Sequence, residues 1–225
     1  MSLFDEIIRE KKVIIFFGMF GTGKTEMAIN TALRMREIHG KVSLADIDTI
    51  SPYFRSRDEK SFLEARGIDV LVPPNAMMFA DLPIIVPQVG GYIENPAFRN
   101  VIDVGGNDDG ATVLGSLNRF IKKSDYAGLL MINKFRPFAE DAERIGHQIE
   151  QLTRKSRIRV DYLINNSNLS YETDAQTINE GEEYIRVISE VVKIPVLCTV
   201  VPDFINVDTS YEQFRIKRFM TTAFQ

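Results

Sequence analysis

The chain has 225 residues, 44% of them apolar and 26% charged, and its 27 basic and 31 acidic side chains leave a net charge of −4. This is an ordinary globular composition, long enough to bury a large core as one domain over residues 1–225, and it gives no support to a nucleic-acid partner held by bulk charge. Cys198 is the single cysteine and lies in an apolar run, which excludes a disulfide framework and a C-x-x-C metal or redox site and fits a reducing, cytoplasmic setting.

The first residues, Ser2 to Arg9, are acidic and interrupted and lack the charged-then-apolar order of a signal peptide. No stretch approaches the ~20 apolar residues that a bilayer requires. Val13-Ile14-Ile15-Phe16-Phe17 reads as a buried strand, and it runs directly into Gly18-Met19-Phe20-Gly21-Thr22-Gly23-Lys24-Thr25, a full match to G-x-x-x-x-G-K-[ST]. A strand that breaks into a glycine loop and then opens a helix offers backbone N–H groups to phosphate oxygens. In that arrangement Gly18, Gly21, Thr22 and Gly23 form the cradle, Lys24 reaches the outer phosphates and the Thr25 hydroxyl ligates Mg²⁺. Met27, Ala28, Thr31, Ala32, Met35 and Ile38 share one face at helical spacing, and Gly40 stops that helix.

Val42 to Ala45 reads as the second strand, ending at Asp46-Ile47-Asp48, followed by a short helix over Asp58 to Arg66 and a strand from Ile68 to Val72. Further strands are expected at Asn100–Val104, Tyr126–Ile132, Val160–Ile164 and Pro195–Val200, with helices at Ala111–Lys122, Ala139–Lys155 and Asp174–Val192. The alternation predicts an α/β fold: a doubly wound, mainly parallel sheet with helices on both faces, the three-layer sandwich of phosphate-loop NTPases. Between Pro73 and Pro96 the period is lost among prolines, the Gly90-Gly91 pair and Met77-Met78-Phe79. That segment reads as a covering loop, with a partner or effector surface as the alternative.

Asp103 ends an apolar strand and is followed by Val104, Gly105 and Gly106. Beside a phosphate loop this is where Mg²⁺ needs a carboxylate and where a glycine N–H can meet the γ-phosphate, which makes Asp103 the metal-side carboxylate and Gly106 the sensor of nucleotide state. Asp46 and Asp48 end the second strand at the same edge, where ligands of open α/β sheets collect. Either one can position the attacking water or hold a metal-bound water; otherwise both begin a solvated loop. Arg55 and Arg57 either bring charge to the phosphates or belong to a solvated face.

Two asparagine-bearing strand ends bear on the base. Neither Asn133-Lys134-Phe135-Arg136 nor Asn165-Asn166-Ser167-Asn168 supplies the carboxylate that guanine's N1–H and amine require, whereas an Asn amide offers both donor and acceptor to adenine. The run Tyr211 to Met220 mixes aromatic and basic residues at roughly helical spacing and is expected to dock as a last helix through Phe214 and Phe219, with membrane contact the less favoured alternative. Arg154 to Arg159 reads as a helix end rich in favourable cations, and His39 and His147 as ordinary surface or cap residues.

In motif order most of the chain resembles the SIMIBI-class phosphate-loop ATPases of the MinD/ParA type, the CobQ/CobB/MinD/ParA nucleotide-binding family. The resemblance implies that Asp46-Ile47-Asp48 is a switch I strand whose Asp48 orients the hydrolytic water, and that Asp103 to Gly106 is switch II. It also implies that Asn165, with Asn166, ends the strand that contacts the base, and that Val200-Val201-Pro202-Asp203 is the loop closing over it. The family carries a lysine at the position of Met19, reaching across a dimer to the partner's phosphates; methionine brings no such charge. The expected activity is that of an Mg²⁺–ATP-binding and hydrolysing switch, with Lys24, Asp48 and Asp103 catalytic, a nucleotide-dependent homodimer and an unnamed protein client. The alternatives are a small-molecule phosphotransferase, a GTPase and a module that binds nucleotide without turnover.

Overall fold

A computed structural model describes residues 1–48, 60–72, 82–106, 108–137 and 142–220. Arg55, Arg57, Asp58, Met77, Met78 and Phe79, all named above, lie outside these residues. In chain order the elements are α1 (Leu3–Glu10), β1 (Val13–Phe17), α2 (Lys24–Ile38), β2 (Lys41–Asp46), α3 (Lys60–Glu64), β3 (Ile68–Leu71), α4 (Leu82–Glu94) and β4 (Phe98–Asp103). They continue with α5 (Asp108–Ile121), β5 (Tyr126–Ile132), α6 (Ala142–Ser156), β6 (Tyr162–Asn165), α7 (Ala175–Val192), β7 (Val196–Pro202) and β8 (Gln213–Ile216).

The eight strands form one sheet in the order β3-β2-β4-β1-β5-β6-β7-β8, and every pair is parallel. Parallel strands need crossovers, and the crossover helices cover both faces, which is why β1 can be five apolar residues without a break. Ile14 and Phe16 point into one core with Met27, Ala32 and Met35 of α2, while Val13, Ile15 and Phe17 point into the other with Leu114 and Leu117 of α5. The expected doubly wound architecture is the observed one.

Three elements differ from the sequence reading. The N-terminal residues form α1, because Phe4, Ile7 and Ile8 fall on one buried face and the Ser2 hydroxyl caps the Asp5 N–H at 2.9 Å. The later part of the segment read as a covering loop is α4, which accommodates Pro87 inside it; Gly90 leaves room for the Phe120 ring, 2.6 Å from where a Cβ would stand. The C-terminal run is not a helix: Gln213–Ile216 is an edge strand with Phe214 and Ile216 buried and Arg215 exposed, a period of two rather than 3.6. Phe214 packs on Phe4 with ring centroids 4.5 Å apart. Beyond β8 the Glu26 carboxylate of α2 accepts the Phe219 and Met220 N–H groups at 2.6 and 3.0 Å.

Cys198 sits fully buried in β7, and burial pushes its thiol well above the usual range. A thiol-disulfide reagent is therefore expected to label one cysteine per chain in denaturant and none on the same timescale in buffer, as absorbance of the released thiolate reads out. Gly128 in β5 lies against the Arg159 carbonyl, which a Cβ would strike. Gly128→Ala is expected to lower stability by about 1–3 kcal/mol in urea unfolding, the usual cost of overpacking a rigid backbone contact.

Candidate functional site

β1 ends in a turn that only glycines adopt at ease: Gly18, Gly21 and Gly23 have φ of 146°, 74° and 86°. Gly23 is also the N-cap of α2 and brings no side chain to its N–H groups. Elsewhere these groups are satisfied locally, as Ser2 does for α1 and Asp174 for α7, where it accepts from Thr177 N–H at 2.8 Å. A 15-residue helix whose first turn lacks a side-chain cap, at the edge where the sheet's strands end, has the electrostatics of an anion site.

The phosphate loop is held from both sides. Asn166, 6% exposed, donates its amide to the Thr22 carbonyl at 2.7 Å and fills the space a Cβ at Gly23 would need. On the other side Gly106 lies so near that its Cβ would be 2.7 Å from Phe20 N and 2.9 Å from the Met19 carbonyl carbon. Within the loop the Met19 carbonyl accepts the Thr22 hydroxyl at 2.9 Å and the Lys24 ammonium at 2.9 Å. Lys24 is only 7% exposed; burial lowers its pKa, opposed by the charges of Asp103, Asp48 and Asp46.

The three carboxylates converge because β2 and β4 are register partners at Asp46 and Asp103. The Thr25 hydroxyl donates to Asp103 Oδ2 at 2.6 Å, while Asp103 Oδ1 is buried without a hydrogen-bond partner. Burial pushes the Asp103 carboxyl up to about 6, against the pull of Lys24 and the Thr25 bond, and Asp48 adds to the rise. Asp46 accepts from the Asp48 N–H at 3.0 Å, and the Asp48 carboxylate lies 3.1 Å from where a Gly105 Cβ would be. Among the described residues no three carboxylate, histidine or cysteine side chains hold a metal by themselves. A hydroxyl beside one open carboxylate oxygen does suit Mg²⁺, which takes few protein ligands and completes its octahedron with water and phosphate.

Gly18, Gly21, Thr22, Gly23, Lys24, Thr25, Asp46, Asp48, Asp103 and Gly106 are thus brought together. Asn165 is turned into the protein: its amide reaches Thr199 Oγ1 at 3.4 Å and Ile178 O at 3.5 Å, and its Oδ1 accepts from Ser167 N–H at 3.1 Å. Pro202 is a β7 residue paired with Ile216, three strands from β1 and so ~14 Å away by strand spacing. Two features went unread in the sequence. Asn166 braces the loop, and Arg136, in the turn after β5, packs on Gly21 with its Nε 3.2 Å from where a Cβ would be. Only the pairing of β5 with β1 brings that turn to the loop, and no spacing rule announces it.

No family model matches the chain, and no curated protein sequence matches it. Solved structures share its fold. FtsY from Mycoplasma mycoides is 17% identical and superposes with a TM-score of 0.53 over 84% of this chain and 59% of its own. The signal recognition particle 54 kDa protein from Aeropyrum pernix, in complex with GDP, is 14% identical with a TM-score of 0.54, over 88% of this chain and 42% of its own. FlhF complexed with GTP and Mg²⁺ is 19% identical with a TM-score of 0.52, over 85% and 67%. The chain spans less than two thirds of the length of the first two. At these identities the likeness is one of fold alone, a three-layer α/β sandwich, and it does not carry the MinD/ParA assignment. Among the described residues no helix is long and apolar enough to cross a membrane.

Asn166→Ala removes the brace and leaves the buried Thr22 carbonyl without its amide donor. The expected loss of stability is about 1–3 kcal/mol, read from urea unfolding, the cost of orphaning a buried acceptor.

Proposed function

We propose that the chain is an Mg²⁺-dependent nucleoside triphosphatase that acts as a conformational switch, with ATP as its nucleotide. The observation that carries this reading is the uncapped first turn of α2, with a buried Lys24 tied to the loop's own Met19 carbonyl and an Asp103 carboxylate that takes the Thr25 hydroxyl on Oδ2 and leaves Oδ1 open. A phosphate group replaces the Met19 carbonyl as the partner of Lys24, and the loop N–H groups take its oxygens. Thr25 and Asp103 would hold Mg²⁺, which when bound neutralises charge on the phosphates. Asp48 orients a water for in-line attack: the water oxygen bonds to the γ-phosphorus as the bond to the β–γ bridging oxygen breaks, and its proton passes to the phosphate released. Gly105 and Gly106, in contact with Asp48 and with the loop, follow the presence of the γ-phosphate.

ATP is favoured because the asparagine that meets the loop carbonyl is Asn166, and the run from it, Asn166-Ser167-Asn168-Leu169, ends in an apolar side chain where guanine would need a carboxylate. GTP is the second reading, supported by the GTP and GDP named with the FlhF and signal recognition particle structures. Nucleotide-dependent pairing of two copies is part of the proposal, supported by Phe20, a phenylalanine 61% exposed at the crown of the loop. The client is taken to be a protein and the setting cytoplasmic.

Titration with fluorescent ATP and GTP analogues in Mg²⁺ is expected to give binding to the wild type and a loss of roughly 10²-fold in Lys24→Ala. Failure of both nucleotides to bind the wild type would remove the reading. Asp48→Ala is expected to keep nucleotide binding while phosphate release falls by roughly 10²-fold or more. The same variant with Mg²⁺–ATP is expected to elute as a dimer in size-exclusion chromatography with light scattering, and a monomer under saturating nucleotide would remove the pairing.

A further inference from the structure

A cavity of about 290 Å³ lies beneath the first arm of the phosphate loop, between the ends of β1, β4 and β5 on one side and α5 and α6 on the other. Its walls are apolar, with Phe17, Val104, Leu130, Ile132, Ile149 and Leu152 contributing. Its roof is backbone that the nucleotide site also uses: Gly18 and Met19 from the phosphate loop, Gly105 and Gly106 from the loop after β4. A volume of this size suits a small organic molecule.

Five polar side chains, Thr22, Asn133, Arg136, Gln148 and Gln151, interrupt the apolar lining, and Arg136 is the one cation among them. Arg136 is exposed at the rim, and among the described residues its guanidinium makes no side-chain hydrogen bond or ion pair. Its guanidinium and Cδ rest on Gly21, with Nε 3.2 Å and Cζ and Cδ 3.4 Å from where a Cβ would be, so the group is placed at the rim. The buried polar side chains of the lining are spent: Thr22 donates its hydroxyl to Met19 O, and Asn133, 1% exposed, donates its amide to Asn168 O while its Oδ1 accepts from the Phe135 and Asn168 N–H groups. A half-open, mostly apolar volume with a single cation at its edge complements a molecule with a hydrocarbon body and one anionic end, because the body gains by burial and a carboxylate matches the guanidinium fork.

We infer that this cavity is a binding site for a small amphipathic monoanion, its hydrocarbon body between α6 and the sheet and its carboxylate on Arg136. The site shares Gly18, Thr22 and Gly106 with the nucleotide site, and its lining includes Met19, whose carbonyl holds Lys24 and Thr22. Occupancy therefore bears on the loop's shape before any nucleotide arrives.

Octanoate is the probe, with octylammonium as the control of equal length and opposite charge. The full chain, labelled at its methionine methyls and free of nucleotide, is titrated by NMR; Met19 lines the cavity, whereas Met27 and Met35 lie in the core on the other face of the sheet, where the Met131 side chain also packs. Octanoate is expected to shift the Met19 signal in a saturable manner and leave Met27 and Met35 still, and octylammonium to shift none of the three. Arg136→Gln, a change at an exposed position that does not threaten folding, is expected to weaken octanoate about tenfold, the loss of one charge-assisted hydrogen bond. Ile149→Trp, which fills the cavity, is expected to abolish the response. No saturable shift at Met19, an equal response to octylammonium, or unchanged affinity in Arg136→Gln would each overturn the inference. Because no nucleotide is present, the outcome is independent of whether the Lys24→Ala experiment succeeds.

Discussion

Because β1 lies between β4 and β5 with all three strands parallel, their C-terminal ends emerge at one edge, and the turns that follow them have to share the space above it. The ladder continues past the strands, with Val104 N–H bonding to Phe16 O at 3.2 Å and Asn166 N–H to Ile132 O at 2.8 Å. The phosphate loop, the Asp103–Gly106 turn and the turn carrying Arg136 are neighbours for that reason alone. An antiparallel neighbour at either side of β1 would send its turn to the opposite edge and leave the loop without its carboxylate or its arginine. The site is in this sense a property of the topology, and its residues are those the topology delivers.

The chemistry of the site is a problem of buried charge. Lys24 is taken out of water among three carboxylates, beside a helix end that has no side-chain cap. The Met19 carbonyl offers a partial negative charge to the ammonium at 2.9 Å. A side chain at position 19 leaves that role to its backbone, so the position is free to be apolar, and the methionine contributes to the wall of the cavity beneath it.

What was legible in the sequence follows from the range of the signals. The glycine loop and the strand before it are contiguous, so their pattern carried both the fold class and the phosphate site. The strand-end aspartates were legible because an apolar run stopping at a carboxylate and glycines is equally local. The C-terminal run was misread, because Phe214, Ile216 and Phe219 fit a period of two or of four over so short a stretch, and only the free edge of β7 selects the strand. The N-terminal helix was passed over although its apolar residues have helical spacing, since acidic residues between them drew the eye from the buried face. The role of Asn166 as a brace of the loop was out of reach, because it depends on a contact with Thr22 across most of the chain.

The pairing of β1 also carries a consequence for how the molecule assembles. Val13 meets Asn100 on one side and Tyr126 on the other, so a chain emerging from the ribosome holds a bare five-residue apolar strand until more than half of it has been made. Local helices can form early, but the centre of the sheet has to wait for loops of great length to close, which makes folding slow by contact-order arguments and exposes β1 to wrong partners meanwhile. The nascent chain's first vulnerability and the finished protein's phosphate loop therefore share one strand. That strand cannot be protected by charge, because both of its faces end in a dry core.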